Sequence, residues 1–224
     1  MRQMTAEQAN RAREARAAKD QIDRQTAQSL AAQRVESKRQ YACISPRHKA
    51  VLEGGLKWPD QGALARAVLK AALAGRCVVL LGERGIGKTQ LLTQVAWEAC
   101  AEPSLSMVRM WEGAEIIEHI STKAFGERTP RATVIDQLCK MQSLMLIDDL
   151  HRRRHTPEEM LILGELLNAR YQMKAGTIIA ANYTPDALVE SLGADVMSRI
   201  GEWGEVFVMA RWESRRPQVK INLV

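Results

Sequence analysis

The sequence predicts an α/β fold of three layers, α/β/α, built on a parallel sheet and preceded by a helical arm. Three observations carry this. Cys77 to Gln90 reads as a buried strand, a glycine-rich turn and a helix start. Two further apolar runs, Leu144–Asp148 and Gly176–Asn182, end in polar side chains. Strands buried on both faces of a parallel sheet have this form, and their C-terminal ends open on a ligand crevice. Helical stretches lie between the runs.

Composition sets the bounds. The 224 residues are 46% hydrophobic and 26% charged, enough for one full core plus an appendage. A formal charge of +6 favours a polyanionic partner. The four cysteines are scattered without a CxxC pair, and Cys77 and Cys100 sit in apolar runs as core thiols. Neither disulfides nor zinc are expected, which suits a reducing compartment. The N-terminus is polar and no apolar run reaches membrane-spanning length. A cytoplasmic protein with no membrane partner is therefore expected.

In chain order, residues 1–45 form a basic helical arm. They are rich in Ala, Gln and Arg, lack glycine, and hold Ile22, Leu30 and Val35 as their main large apolar side chains. Thr5 with Gln8 suggests a capping box. Such a helix has little to bury by itself, so it is either solvated or a docking arm for a protein or nucleic acid. Ser45, Pro46, Gly54, Gly55 and Pro59 mark a boundary zone, and residues 46–224 form the second domain. Asp60 caps a helix to about Ala74, stopped by Gly75. Trp58, just ahead of it, packs or covers a base. After the strand 77–81 comes a helix to about Cys100. A strand is expected over Ser104–Met110, then helices over Trp111–Phe125 and Thr133–Met141. His151 and His155 flank three arginines, which would repel a cation, so a basic loop is expected there and not a metal site. Thr156-Pro157-Glu158-Glu159 starts a helix to about Gln172, packed through Met160, Leu161, Leu163 and Leu167 with Ala169 or Tyr171. Short helices follow over Thr184–Leu192 and Ala194–Ile200, and Glu205–Met209 is the last strand.

The chemistry sits on the strand ends. Gly82, Glu83, Arg84, Gly85, Ile86, Gly87, Lys88, Thr89 and Gln90 follow the phosphate-loop pattern GxxxxGK[ST]. Glycines let backbone N–H groups curl round an anion, and the helix opening at Lys88 aims its N-terminal N–H groups at the same charge. Lys88 would reach the β- and γ-phosphates of ATP, and the Thr89 hydroxyl would ligate Mg2+. Asp148 would hold the Mg2+ shell, and Asp149 would polarise the attacking water. Asn182 would stand beside the γ-phosphate and orient that water.

The order of these parts resembles the AAA+ ATPase module, and more closely the DnaC-type helicase loaders and IstB-type transposition ATPases. Four stretches carry the resemblance: Gly82–Thr89, Leu146–Leu150, Ile179–Thr184 and Leu192–Ile200. Trp212–Arg216 also looks like the closing segment of this family. The resemblance implies that Asn182 is the first sensor and that Arg199 is an arginine finger completing the site of an adjacent subunit. It implies a homo-oligomer that binds DNA, with an N-terminal region that binds a replicative helicase or, in the alternative reading, a transposase. Two departures stand out. Asp149 occupies a place often held by Glu, and Ala194 a place often held by Arg. No helical lid is expected after Val224, so little in the same chain would neutralise charge on the γ-phosphate. Hydrolysis is then expected to be feeble in the monomer and switched on by assembly. Lys123, Arg128 and Arg131 lie where such ATPases face a central channel. A small-molecule kinase and a non-hydrolysing nucleotide-gated scaffold are the competing classes.

Overall fold

The computed structural model describes residues 6–53, 61–126, 128–142, 144–150, 156–209 and 219–221. Thr5, Trp58, Asp60, the His151–His155 basic loop and the Trp212–Arg216 closing segment lie outside them.

Five strands run parallel: β1 (Cys77–Leu81), β2 (Val108–Glu112), β3 (Leu144–Asp148), β4 (Gly176–Ala181) and β5 (Gly204–Val208). A sixth, β6 (Val219–Ile221), pairs antiparallel to β5, so the order is β2-β3-β4-β1-β5-β6. Alternation along each strand builds the two helical layers. Val79, Leu81, Met145, Ile147 and Ile179 enter one core, and Val78, Leu80, Leu146 and Ile178 enter the other. The first core is closed by α5 (Gly113–Gly126), α6 (Arg131–Met141), α7 (Pro157–Gln172), α8 (Pro185–Leu192) and α9 (Ala194–Trp203). The second is closed by α3 (Gln61–Leu73) and α4 (Lys88–Ala99). This is the expected α/β/α sandwich.

The chain divides into two compact units, residues 1–38 and 39–224. The first is helical throughout its described part, within α1 (Ala6–Tyr41), and residues 16–34 are all exposed. In the second unit, Ala42 is fully buried and its carbonyl accepts from the Met110 N–H, while the Arg39 guanidinium stacks on Trp97. No described helix is long and apolar enough to cross a membrane. The four cysteines are free thiols; Cys77, Cys100 and Cys139 are buried, and burial pushes the Cys77 thiol up to about 12.

Several boundaries differ from expectation. Residues 101–107 form turns and not the start of β2, because Ala101, Glu102 and Leu105 donate to carbonyls three residues back. The strand instead runs to Glu112, so Trp111 is a strand residue, 1% exposed, with its indole N–H on the Gln142 amide oxygen at 3.0 Å. The Ser45-Pro46 boundary is a helix start: Pro46 opens α2 (Pro46–Glu53), and the Ser45 carbonyl accepts from His48 and Lys49. Leu161 is exposed, and α7 turns Ile162, Leu163, Leu166, Leu167 and Arg170 inward. The nearly continuous apolar run 160–163 left the phase of that helix open. The antiparallel β6 follows the strand expected to be last.

The start of α7 has both halves of the capping box. The Glu159 N–H donates to the Thr156 hydroxyl at 3.2 Å, and the Thr156 N–H to the Glu159 carboxylate at 2.8 Å. Thr156→Ala should lower stability by about 1 kcal/mol in urea unfolding; an unchanged midpoint would show the box to be idle.

Candidate nucleotide site

The sheet order decides which loops meet. β4 lies between β1 and β3, so the phosphate loop after β1, Asn182 after β4 and Asp148 ending β3 leave one edge on three adjacent strands. At about 4.8 Å per strand, Gly82 and Asp148 emerge roughly 10 Å apart. A triphosphate end and its counter-ion fit that span.

The loop itself needs its glycines. Gly82, Gly85 and Gly87 have φ of 144°, 87° and 97°, in the left-handed half where a Cβ is strained. A Cβ at Gly82 would also lie 2.6 Å from the Met209 carbonyl, whereas at Gly85 nothing lies within 4 Å. Gly87 caps α4, whose first turn holds Lys88, Thr89 and Gln90. Ile86 is buried, and Glu83 and Arg84 are exposed.

Lys88 is 7% exposed, and its ammonium donates to the Gly82 and Glu83 carbonyls at 2.7 and 2.8 Å. Burial pulls its pKa below the usual lysine value, and the Asp148 and Asp149 carboxylates pull it back up. Asp148 and Asp149 are thus the acids whose charge the Lys88 ammonium feels. Asp148 is 9% exposed, and burial raises its pKa. The Thr89 hydroxyl and the Asp149 N–H, the latter at 2.9 Å, hold it back down. The nearby Asp149 charge raises it further, and His48 of α2 lowers it. Asp149 itself takes a left-handed φ of 51°.

Two observations test whether ATP and Mg2+ fit. A hydroxyl and a buried carboxylate in contact are hard oxygen donors of the kind Mg2+ takes beside a phosphate. The Gln90 side-chain nitrogen is buried with no hydrogen-bond partner among the described residues, at the helix turn where an anion would sit. An orphaned donor costs about 1–3 kcal/mol, which a phosphate oxygen would offset. Both fit.

Arg199 stands apart from this cluster. It lies in the second turn of α9, half-buried, on the wall of an open cavity of about 440 Å³ shared with Glu165, Asn168 and Asp195. No phosphate-loop residue lines that cavity. The structure thus gathers Lys88, Thr89, Asp148 and Asp149, brings Asn182 to the same edge, and leaves Arg199 on another surface. Of the basic residues expected to face a channel, Arg131 is committed to Glu165 at 2.7 Å and to Glu158. Sequence reasoning did not single out His48, whose effect on Asp148 depends on long-range packing that no local pattern announces.

A family model described as IstB-like ATP binding protein matches residues 66–199. Among solved structures, the DnaC helicase loader aligns at 18% identity with a TM-score of 0.59, covering 74% of this chain and all of that one. DnaI aligns at 18% identity and 0.55, covering 76% and 93%. Domain III of the Thermotoga maritima replication initiation protein DnaA aligns at 19% and 0.56, covering 75% and 68%. No curated protein sequence matches the chain. At these identities the structural likeness speaks for the fold. The family match extends over more than half the sequence, so the chain belongs to the IstB-like ATP-binding proteins, P-loop ATPases of AAA+ fold.

Proposed function

We propose that the protein is an ATP-hydrolysing loader that delivers a replicative ring helicase onto single-stranded DNA in the cytoplasm of a bacterium or during phage replication. In this reading the loop Gly82–Gln90 wraps the triphosphate, and the Lys88 ammonium leaves the loop carbonyls for the β- and γ-phosphates. Thr89 and Asp148 hold Mg2+, which when bound neutralises charge shared between those phosphates. Asp149 takes the proton of the attacking water, and Asn182 orients that water. Arg199 reaches the nucleotide of a neighbouring copy, and assembly and DNA binding switch hydrolysis on. The arm, residues 1–45, docks the helicase. A solved neighbour is named as a helicase loader, which agrees with this reading.

One observation favours single strands over the duplex that a transposition ATPase would hold. Phe125, near the C-terminus of α5, is 83% exposed, with exposed Lys123 and Arg128 close in sequence. An exposed aromatic on a basic segment is a platform for unstacked bases, and each stacked base contributes about 1–3 kcal/mol. Phe125→Ala should therefore weaken single-strand binding by about 5- to 150-fold with little change in its salt dependence. Fluorescence anisotropy with matched single-stranded and duplex oligonucleotides checks this. Tight ATP-dependent duplex binding, with no affinity for a replicative helicase, would overturn the loader reading in favour of transposition.

A further inference from the structure

Gly113 opens α5 directly after β2, and the β2–β3 register sets Glu112 opposite Asp148. The turn leaving β2 therefore runs beside the turn leaving β3, where Asp149 holds its left-handed conformation. A Cβ on Gly113 would lie 2.8 Å from the Leu150 Cα, 3.4 Å from its Cδ1 and 3.5 Å from the Asp149 carbonyl oxygen. The closest of these is backbone, which has no rotamer to change. Nor can Leu150 retreat freely. Its side chain is 1% exposed in the core, and its N–H donates to the Ala180 carbonyl at 3.3 Å. What position 113 requires is close approach of two backbones, which only a missing Cβ permits.

We propose that Gly113 is a positioning residue for ATP hydrolysis: its bare α-carbon lets the Leu150 backbone seat against α5, and that contact aims the Asp149 carboxylate. The proposal rests on Asp149 being the hydrolytic base. The close approach at Gly113 is to the backbone of Asp149 and Leu150, whereas Lys88 and Thr89 open α4 after β1. A displaced Asp149 would therefore weaken hydrolysis more than it weakens nucleotide binding. A shift of about 1 Å in a reacting group lowers a rate by roughly 10²-fold.

The test measures Kd for a fluorescent ATP analogue and kcat for ATP, on the full chain without DNA, at concentrations that support hydrolysis. Gly113→Ala should lower kcat by about 10²-fold and leave Kd within about twofold. Gly126→Ala, in the same helix, adds a methyl with nothing within 4 Å and should match the parent protein in both. Should Gly113→Ala not fold, Leu150→Ala approaches the same contact from the other side by removing the side chain that anchors the turn, with the same split expected. A folded Gly113→Ala with parental kcat, or with Kd weakened as much as kcat, overturns the proposal. So does Leu150→Ala with either behaviour when it stands in. Asp149→Asn, run in parallel, isolates the underlying assignment: parental hydrolysis in that variant removes Asp149 as the base and the proposal with it, whereas its loss beside an active Gly113→Ala rejects Gly113 alone.

Discussion

Mixing Asp149→Asn with Arg199→Ala restores ATP hydrolysis that neither variant has alone. The expectation follows from where the two side chains stand. Asp149 directly follows Asp148 and its charge is felt at Lys88, while Arg199 lines a cavity that no phosphate-loop residue touches. Charge developing on a γ-phosphate needs a cation that this loop and its single lysine do not fully supply. An arginine finger is worth roughly 10³–10⁵ in rate and a general base roughly 10²–10⁴, so Arg199→Ala and Asp149→Asn should each fall by about those factors. In a mixed assembly, an Arg199→Ala protomer keeps its base and takes its arginine from an Asp149→Asn neighbour. At equal amounts about a quarter of head-to-tail interfaces carry both groups, so about a quarter of parental activity should return. The substitutions are conformationally mild. Asn accepts the left-handed φ that Asp149 holds, so the turn should survive while the base is lost. Steady-state hydrolysis across mixing ratios and concentrations checks the expectation. If both variants bind ATP yet no ratio or concentration recovers activity, Arg199 is not shared between protomers.

Legibility in the sequence followed the range of the interactions. The strand Cys77–Leu81, the loop after it and the Asp148-Asp149 pair were plain because each rests on a run of neighbouring residues with a fixed spacing. The caps Thr156 and Thr184 were plain for the same reason, and both accept the N–H three residues on. Trp111 was misplaced because its strand is fixed by register against Leu144–Asp148, and the sequence around it reads equally well as a helix start. Arg170 was missed because an arginine in a helix is normally a surface residue, and nothing nearby in sequence says that three acceptors wait for it. Gly113 falls inside the stretch Trp111–Phe125 that reads as a helix, and its close approach to Leu150, 37 residues on, is not written in that stretch. Helix α2 was hidden by a serine and a proline that mark a turn as readily as a helix start. Local chemistry thus announced the phosphate end of the site, while the packing that aims it did not announce itself.

Arg170→Met should produce a large loss of stability. The side chain is fully buried. Its guanidinium donates to the Thr177 hydroxyl at 2.7 Å, the Gln142 carbonyl at 2.9 Å and the Gly176 carbonyl at 2.6 Å. Burial pulls its pKa below the usual arginine value, and Cys139 and then Cys77 raise it. Two opposing effects decide the sign. Desolvating a guanidinium costs several kcal/mol, which methionine relieves. Against that, three charge-assisted bonds contribute about 1.5–3 kcal/mol each, and their loss leaves two buried carbonyls unmatched at about 1–3 kcal/mol apiece. The second effect is larger, and a net loss of about 2–4 kcal/mol is expected from the urea midpoint, a large fraction of the stability of a domain. Arg170→Lys should recover little, since one ammonium cannot span three acceptors arranged for a planar fork. A loss under about 1 kcal/mol in Arg170→Met would show that the buried charge is merely tolerated. The bonds to Gln142 and Gly176 tie together the entries to β3 and β4, whose register pairs Leu144 with Gly176. The exits of those strands carry Asp148 and Asn182. A slip of one residue would shift one strand against the other by about 3.3 Å and turn its side chains to the opposite face of the sheet. The buried arginine thus braces the entries to the two strands whose exits carry Asp148 and Asn182.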